Sequence, residues 1–170
     1  KFKKLSRTLS VNTDFNWTQV KNDGLLYSLI DYYKNGLLDQ RDTTDQQNIQ
    51  DNSTRTINTK IAYTEPLRKD VYLEVNYSIG YYNNNNERIT NEKTLSGKYE
   101  SIVDSLSNAY VFNRLVNTPG ANFKINKKKY NLSFGVSVGF SHFVEQNVTD
   151  NYKVNYNYTN FYPKLSYTYK

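Results

Sequence analysis

Large apolar and small polar residues alternate without exception over residues 130–140. Tyr130, Leu132, Phe134, Val136, Val138 and Phe140 hold one register; Asn131, Ser133, Gly135, Ser137 and Gly139 hold the other. Successive side chains of a strand point to opposite faces, so the stretch predicts a strand with one apolar face and one small, wettable face. The strand continues to about Val148. The same period returns five times. Residues 7–17 set Leu9, Val11, Thr13, Phe15 and Trp17 against Ser10, Asn12, Asp14 and Asn16. Residues 54–64 set Ile57, Thr59, Ile61 and Tyr63 against Asn58, Lys60 and Ala62. Residues 70–82 set Val71, Leu73, Val75, Tyr77, Ile79 and Tyr81 against Tyr72, Glu74, Asn76, Ser78 and Gly80. A weaker segment at about 109–127 is interrupted by Pro119-Gly120, then opposes Ala121, Phe123 and Ile125 to Asn122, Lys124 and Asn126. The last, at about 155–169, opposes Phe161, Pro163, Leu165, Tyr167 and Tyr169 to Asn160, Tyr162, Lys164, Ser166 and Thr168.

The connections alternate in length. Residues 65–69 read as a tight turn, because Pro66 presets φ and cannot donate to a ladder; Lys127, Lys128 and Lys129 read as another. Between these lie long polar excursions, residues 18–53 and 83–117, and a shorter one at 149–152. Residues 25–33 interrupt the first with an apolar run, compatible with a short helix or with a strand carrying the hairpin onward. Residues 95–116, of mixed character, have room for extended strand ends.

This rhythm predicts an all-β fold: an antiparallel transmembrane β-barrel segment of about six long strands, with residues 1–170 as one partial outer-membrane barrel domain. At least five segments reach the ~9–11 residues that a tilted strand needs to cross the hydrocarbon layer. Short turns alternate with long loops, as periplasmic turns and extracellular loops do. Tyr63, Tyr72, Tyr130, Tyr167 and Tyr169 gather toward the short-turn ends, and Trp17, Tyr81, Phe140 and Phe161 toward the other, as interfacial girdles. Asp14, Lys60, Glu74, Lys124 and Lys164 fall at mid-segment on the polar face, where a wet lumen makes them cheap and lipid would not. Six strands are too few to enclose a lumen, so the remaining strands are expected from a longer chain. A small eight-stranded barrel would need two more strands, from residues 25–33 and 110–116. A soluble secreted β-sandwich binding glycans is the alternative of another class; its apolar face would pack on a second sheet.

Composition narrows the chemistry. The mean hydropathy of −0.81 is no argument against a membrane, because a barrel strand shows lipid only every second residue. The chain has no cysteine, which excludes disulfides and thiolate metal sites. It also has no methionine, and Lys1-Phe2-Lys3-Lys4 opens no signal peptide, so an interior piece of a longer protein is expected. The net charge of +6 comes from scattered residues and turn lysines, which predicts no nucleic-acid partner. His142 is the sole histidine, on the apolar register near the end of its strand, and is expected as an interfacial ring. Asp39, Asp42, Asp45 and Asp51 lack the spacing and glycine of an EF-hand and read as solvated charge. Glu74 and Asp14 could form a carboxylate pair only if their strands juxtapose them. No catalytic, cofactor-binding or metal-ligating residues are predicted, and no enzyme. Tyrosine and asparagine in the loops suit sugar or peptide recognition, but equally serve girdles and solvated loops.

Three motifs carry a family likeness. Residues 2–10, FKKLSRTLS, resemble a strand opening of TonB-dependent-receptor-like outer-membrane barrels of Bacteroidetes-type bacteria; residues 63–67, YTEPL, resemble a turn of that family, and residues 160–163, NFYP, a later strand. Order and spacing fit across essentially the whole chain. The resemblance implies a barrel of about 22 strands filled by a plug, energised through TonB, importing a nutrient such as an iron chelate, glycan or peptide. Outer-membrane lipid, the remaining strands, the plug, TonB and a small ligand at the extracellular loops are the partners it implies. No residue here matches the plug or the TonB-contacting segment.

Overall fold

The structure, a computed structural model, describes residues 6–169. Phe2, Lys3, Lys4 and Leu5 of the first motif lie outside them. Seven strands form one antiparallel sheet: β1 (Thr8–Lys34), β2 (Leu37–Arg68), β3 (Val71–Lys93), β4 (Tyr99–Ile102), β5 (Asn108–Asn126), β6 (Tyr130–Asn147) and β7 (Tyr152–Tyr169). Their order is β1-β2-β3-β5-β6-β7, a simple meander, with β4 paired to the tip of β3. Because β4 and β5 share that edge, separated by a 3-10 turn at Asp104–Leu106, the sheet is six strands wide, as the sequence predicts.

The register keeps the two faces apart. Opposed residues share a side of the sheet, and Leu9–Tyr63–Val75–Ala121–Val136–Pro163 lie in one row across all six strands. The intervening row, Ser10–Ala62–Asn76–Gly120–Ser137–Tyr162, belongs to the other face. Along β3 the apolar Val75, Tyr77, Ile79 and Tyr81 are exposed, whereas Asn76, Ser78, Gly80 and Tyr82 between them are half-buried. The polar face is therefore the inside of the curve. Among the described residues Val71 is the one buried hydrophobic side chain.

No second sheet covers the apolar face among the described residues, so the sandwich reading is set aside. Nor do β1 and β7 pair with each other, and residues 25–33 and 110–116 belong to β1 and β5. The small eight-stranded barrel falls with that.

The apolar band runs obliquely across the hydrogen-bonded rows. It extends from Leu9 to Trp17 on β1, from Val71 to Tyr81 on β3, and from Tyr169 to Phe161 on β7, so its centre drifts by three rows over five strand steps. With two residues per row and ordinary strand spacing, that is about 20 Å along the strands for about 24 Å across them, a slope of about 40°. Transmembrane barrel strands tilt by ~35–45°. The β3 run is about 33 Å long, which at that tilt gives a band of about 25 Å, the height of a barrel's apolar belt.

Several sequence expectations are corrected. Residues 18–53 and 83–117 are not loops in the main; β1, β2, β3 and β5 simply continue, and of the two readings of residues 25–33 the strand that carries the hairpin onward is the one found. Their backbone groups are satisfied across the hairpin, and water on both faces removes any demand for alternation. The first hairpin closes at Asn35-Gly36, both with positive φ (54° and 81°), as a two-residue Asn-Gly turn requires. Pro66 does not end its strand: it sits opposite Tyr72 beside a register shift, and the turn itself is Lys69-Asp70. Pro119-Gly120 does not interrupt β5. Gly120 is needed there because a Cβ would come within 2.8 Å of Ser137 Cβ. Tyr72 faces the polar side and cannot belong to a lipid-facing girdle.

Candidate functional site

The concave face is floored by small residues. Ser78 and Gly80 of β3, Thr118 of β5 and Ser141 of β6 leave a basin of about 450 Å³. Asp14, Asn58 and Lys60 form its rim on the β1–β2 side, and Tyr82, Arg114, Phe143 and Tyr162 on the other. Small residues let a ligand approach the backbone, while the rim supplies donors, acceptors and rings. The ring of Tyr162 lies over Gly139, where a Cβ would stand 2.9 Å from its edge.

One part of this polar face breaks its own rule. Near the end that continues into the long hairpins, Tyr82, Phe112, Phe143, Tyr156 and Tyr158 form a continuous aromatic ledge. Phe143 stacks on its cross-strand partner Tyr156 at 4.9 Å and meets Tyr158 edge-on at 5.6 Å. Phe112 bridges Phe143 at 6.0 Å and Tyr82 at 5.9 Å, and the Arg114 guanidinium lies 5.6 Å above Tyr82. Each such contact contributes ~0.5–1.5 kcal/mol beyond burial. Tyr158 still exposes 57% of its surface. The sequence reading overlooked the ledge because its residues sit on the polar register. Phe143, beside His142 on the apolar register, was the visible signal of the change.

The other expected residues are placed as follows. Glu74 does not pair with Asp14: it binds Lys124, and Asn122 Nδ2 donates to it at 3.1 Å, whereas Asp14 lies opposite Asn58 three rows away. Lys60 lines the basin, and Lys164 lies opposite Gly135 on the same face. His142 is exposed on the apolar face, its Nδ1 2.7 Å from Asn157 Oδ1. The acidic residues of β2 are spread along the strand. Asp45 accepts from Tyr99 (2.6 Å) and Lys93 (3.0 Å), which hold its carboxyl below the usual carboxylate range, the tyrosine hydroxyl most strongly. Asp51 accepts from Gln19 (3.0 Å) and lies 3.0 Å from Lys21, with the same effect. Among the described residues no three His, Cys, Asp or Glu side chains gather where a metal could bind.

Two of the sequence motifs meet in space. The Arg7 Nε and Nη2 donate to the two carboxylate oxygens of Glu65, at 2.7 and 2.9 Å, and the Tyr63 hydroxyl donates to the same carboxylate at 2.7 Å. This fork ties the start of β1 to the end of β2 at the short-turn rim.

No curated protein sequence matches the chain. Among solved structures, it is similar to the ferric citrate transporter FecA in its unliganded form, with a TM-score of 0.50 at 13% identity. The likeness covers 96% of this chain but 25% of that one, so this chain spans about a quarter of the transporter's length. At such identity it speaks for the fold alone. The outer membrane protein beta-barrel family matches residues 1–170, and the chain belongs to that family.

Proposed function

We propose that this chain is a sector of the wall of a TonB-dependent importer, non-catalytic in itself, whose lumen face helps receive a nutrient. The observation that carries the reading is the continuous aromatic ledge at the mouth of a basin floored by small residues. A wall meant only to hold water has no use for rings there. Fold likeness to a transporter supports it. The plug and the TonB-contacting segment would come from the rest of the parent protein.

Charge narrows the nutrient. Residues 18–53, 83–108 and 145–153, which lie on the loop side of the apolar band, carry twelve carboxylates against seven cations. Such a mouth repels polyanions over about a Debye length and favours neutral or cationic ligands. A glycan or a peptide therefore fits this sector better than an anionic iron chelate, with rings for stacking and Asp14, Asn58 and Lys60 for hydrogen bonds.

The test is uptake of labelled oligosaccharide, peptide and ferric-chelate probes by cells making the complete protein. Uptake of one neutral or cationic probe should require TonB and fall about tenfold or more in the Phe143→Ala, Tyr158→Ala double variant, with the amount of folded barrel unchanged. Uptake that persists without TonB sinks the importer reading. Uptake indifferent to the double variant sinks the role of the ledge.

A further inference from the structure

The short-turn rim carries the opposite charge to the mouth. Arg7, Arg68, Lys69, Lys127, Lys128 and Lys129 gather there against Glu65 and Asp70. Four of these cations converge on a notch of about 480 Å³ between the β2–β3 turn and the β5–β6 turn, walled by Lys69, Lys127, Lys128, Lys129 and Tyr130 with Asp70. Asn126 N–H donates to the Asp70 carbonyl and fastens the two turns together, and Lys127 N–H donates to the Tyr130 carbonyl and closes the β5–β6 turn, both at 2.8 Å. The notch is thus built on fixed backbone.

Its charge is only partly answered. Lys127 Nζ lies 3.4 Å from Asp70 Oδ2, while Lys69, Lys128 and Lys129 have no carboxylate within ion-pair distance among the described residues. Three like charges around one notch repel one another, and a site that holds them together favours an anion. Tyr130 gives the notch a second property. It belongs to the apolar face, its ring 6.3 Å from that of Tyr167, and from it Leu132 and Phe134 lead along β6 toward the middle of the band, with Ile125 and Phe123 of β5 opposite them. A cationic notch therefore opens at the edge of a lipid-facing surface, at the depth where aromatic rings mark a headgroup layer.

We propose that this notch holds the headgroup phosphate of an anionic phospholipid from the inner leaflet, its acyl chains lying along Tyr130, Leu132 and Ile125. Charge complementarity selects the headgroup, and continuity with the apolar band selects a lipid over a soluble anion. The short turns of outer-membrane barrels face the periplasm, where the adjoining leaflet is phospholipid. The site would anchor the barrel's depth on its periplasmic side, independently of what the lumen carries.

The experiment uses the complete protein in mild detergent, with native mass spectrometry counting retained phosphatidylglycerol against phosphatidylethanolamine. Wild type should retain phosphatidylglycerol preferentially. A Lys69→Gln, Lys128→Gln, Lys129→Gln variant should lose about a hundredfold of that preference, about fivefold per lysine. A loop-side variant, Lys34→Gln, Lys98→Gln, Lys153→Gln, should keep it. Heat-dependent gel mobility checks that each barrel is folded; if the triple variant is not, Lys129→Gln alone should show the fivefold loss. No preference in wild type, preference surviving in the turn variant, or equal loss in the loop-side variant overturns the site. So does complete displacement of the lipid by excess inorganic phosphate, which would make the notch a site for soluble anions.

Discussion

The first hairpin contains two kinds of strand in one continuous ladder. Between Thr8 and Trp17, and back from Arg55 to Thr64, apolar and polar residues alternate and the two faces differ sharply. Beyond Trp17 the same strands run on for about 55 Å, counted along β1 to Lys34, with no preference for either face. There the cross-strand contacts are polar: Asp23 with Gln47, Asp31 with Arg41, and Asn52 with Asn84 of β3. Hydrogen bonding between strands is the same in both halves, so it cannot be what sets the alternation. The solvent does. Where one face meets lipid, a polar residue on that face is expensive; where both faces meet water, any residue that tolerates extended backbone serves.

The sharpest way to break this comparison is to place one charge on each face of the wall half. Val75→Arg puts a guanidinium on the apolar face of β3 and should cost ~2–4 kcal/mol of folding free energy in a bilayer. Asn76→Arg, one residue along, points into the lumen near Glu74 and should cost well under half as much. Urea titration of the complete barrel in vesicles measures both. Equal costs would mean that the apolar face does not meet lipid.

The same comparison explains what was legible in the sequence. The wall half was readable because lipid imposes a period: all six segments, their faces and the mid-segment charges emerge from residues such as Leu132, Phe134 and Val136 against Ser133 and Gly135. The projecting half carries no such period, because water imposes none, so alternation leaves it between polar loop and extended strand. Asn35-Gly36 was the overlooked cue, since that pair closes a hairpin whatever precedes it. The aromatic ledge was hidden for a related reason. Phe143, Tyr156 and Tyr82 belong to three strands, and only the register brings them into one row.

Within the wall, packing on the lumen face is the next most sensitive feature. A Cβ at Gly135 would collide with the Asn122 side chain and come within 2.8 Å of the Ala121 carbonyl oxygen. Gly135→Ala should therefore destabilise the barrel by ~1–3 kcal/mol, and Asn122→Gly in the same chain should recover part of that. A purely additive pair would show that the collision is relieved by strand movement rather than by Asn122.

In the projecting half a comparable loss should stay local. Thr90 is fully buried; its Oγ1 donates toward Asn48 Oδ1 at 2.9 Å and the Leu106 carbonyl at 3.2 Å, and its N–H donates to Ser107 Oγ at 3.0 Å. Thr90→Val removes the hydroxyl and leaves acceptors short of a donor, a loss of ~1–3 kcal/mol. Amide exchange should quicken around residues 99–107 while the wall keeps its protection. If the wall loosens equally, the two halves are one cooperative unit.

The smallest effect expected is a pH dependence at the tip of the second hairpin. Asp45 is held below the usual carboxylate range by the Tyr99 hydroxyl first and the Lys93 ammonium second, joining β2 to β3 and β4. A carboxylate with a lowered folded pKa contributes stability that is complete above its unfolded value of ~3.9 and disappears as pH falls through the folded value. Protection of the β4 amides, corrected for intrinsic exchange, should thus hold from neutrality to about pH 4 and decline below it. The informative quantity is the difference from Asp45→Asn, which should begin less protected and lose the Asp45 share of the decline. The wall amides should show neither change, because no lipid-facing residue of the apolar band depends on that carboxylate. A decline that survives intact in Asp45→Asn would take the pH response away from Asp45, and the tip would then be held by packing around Thr90 rather than by the Asp45 bridge.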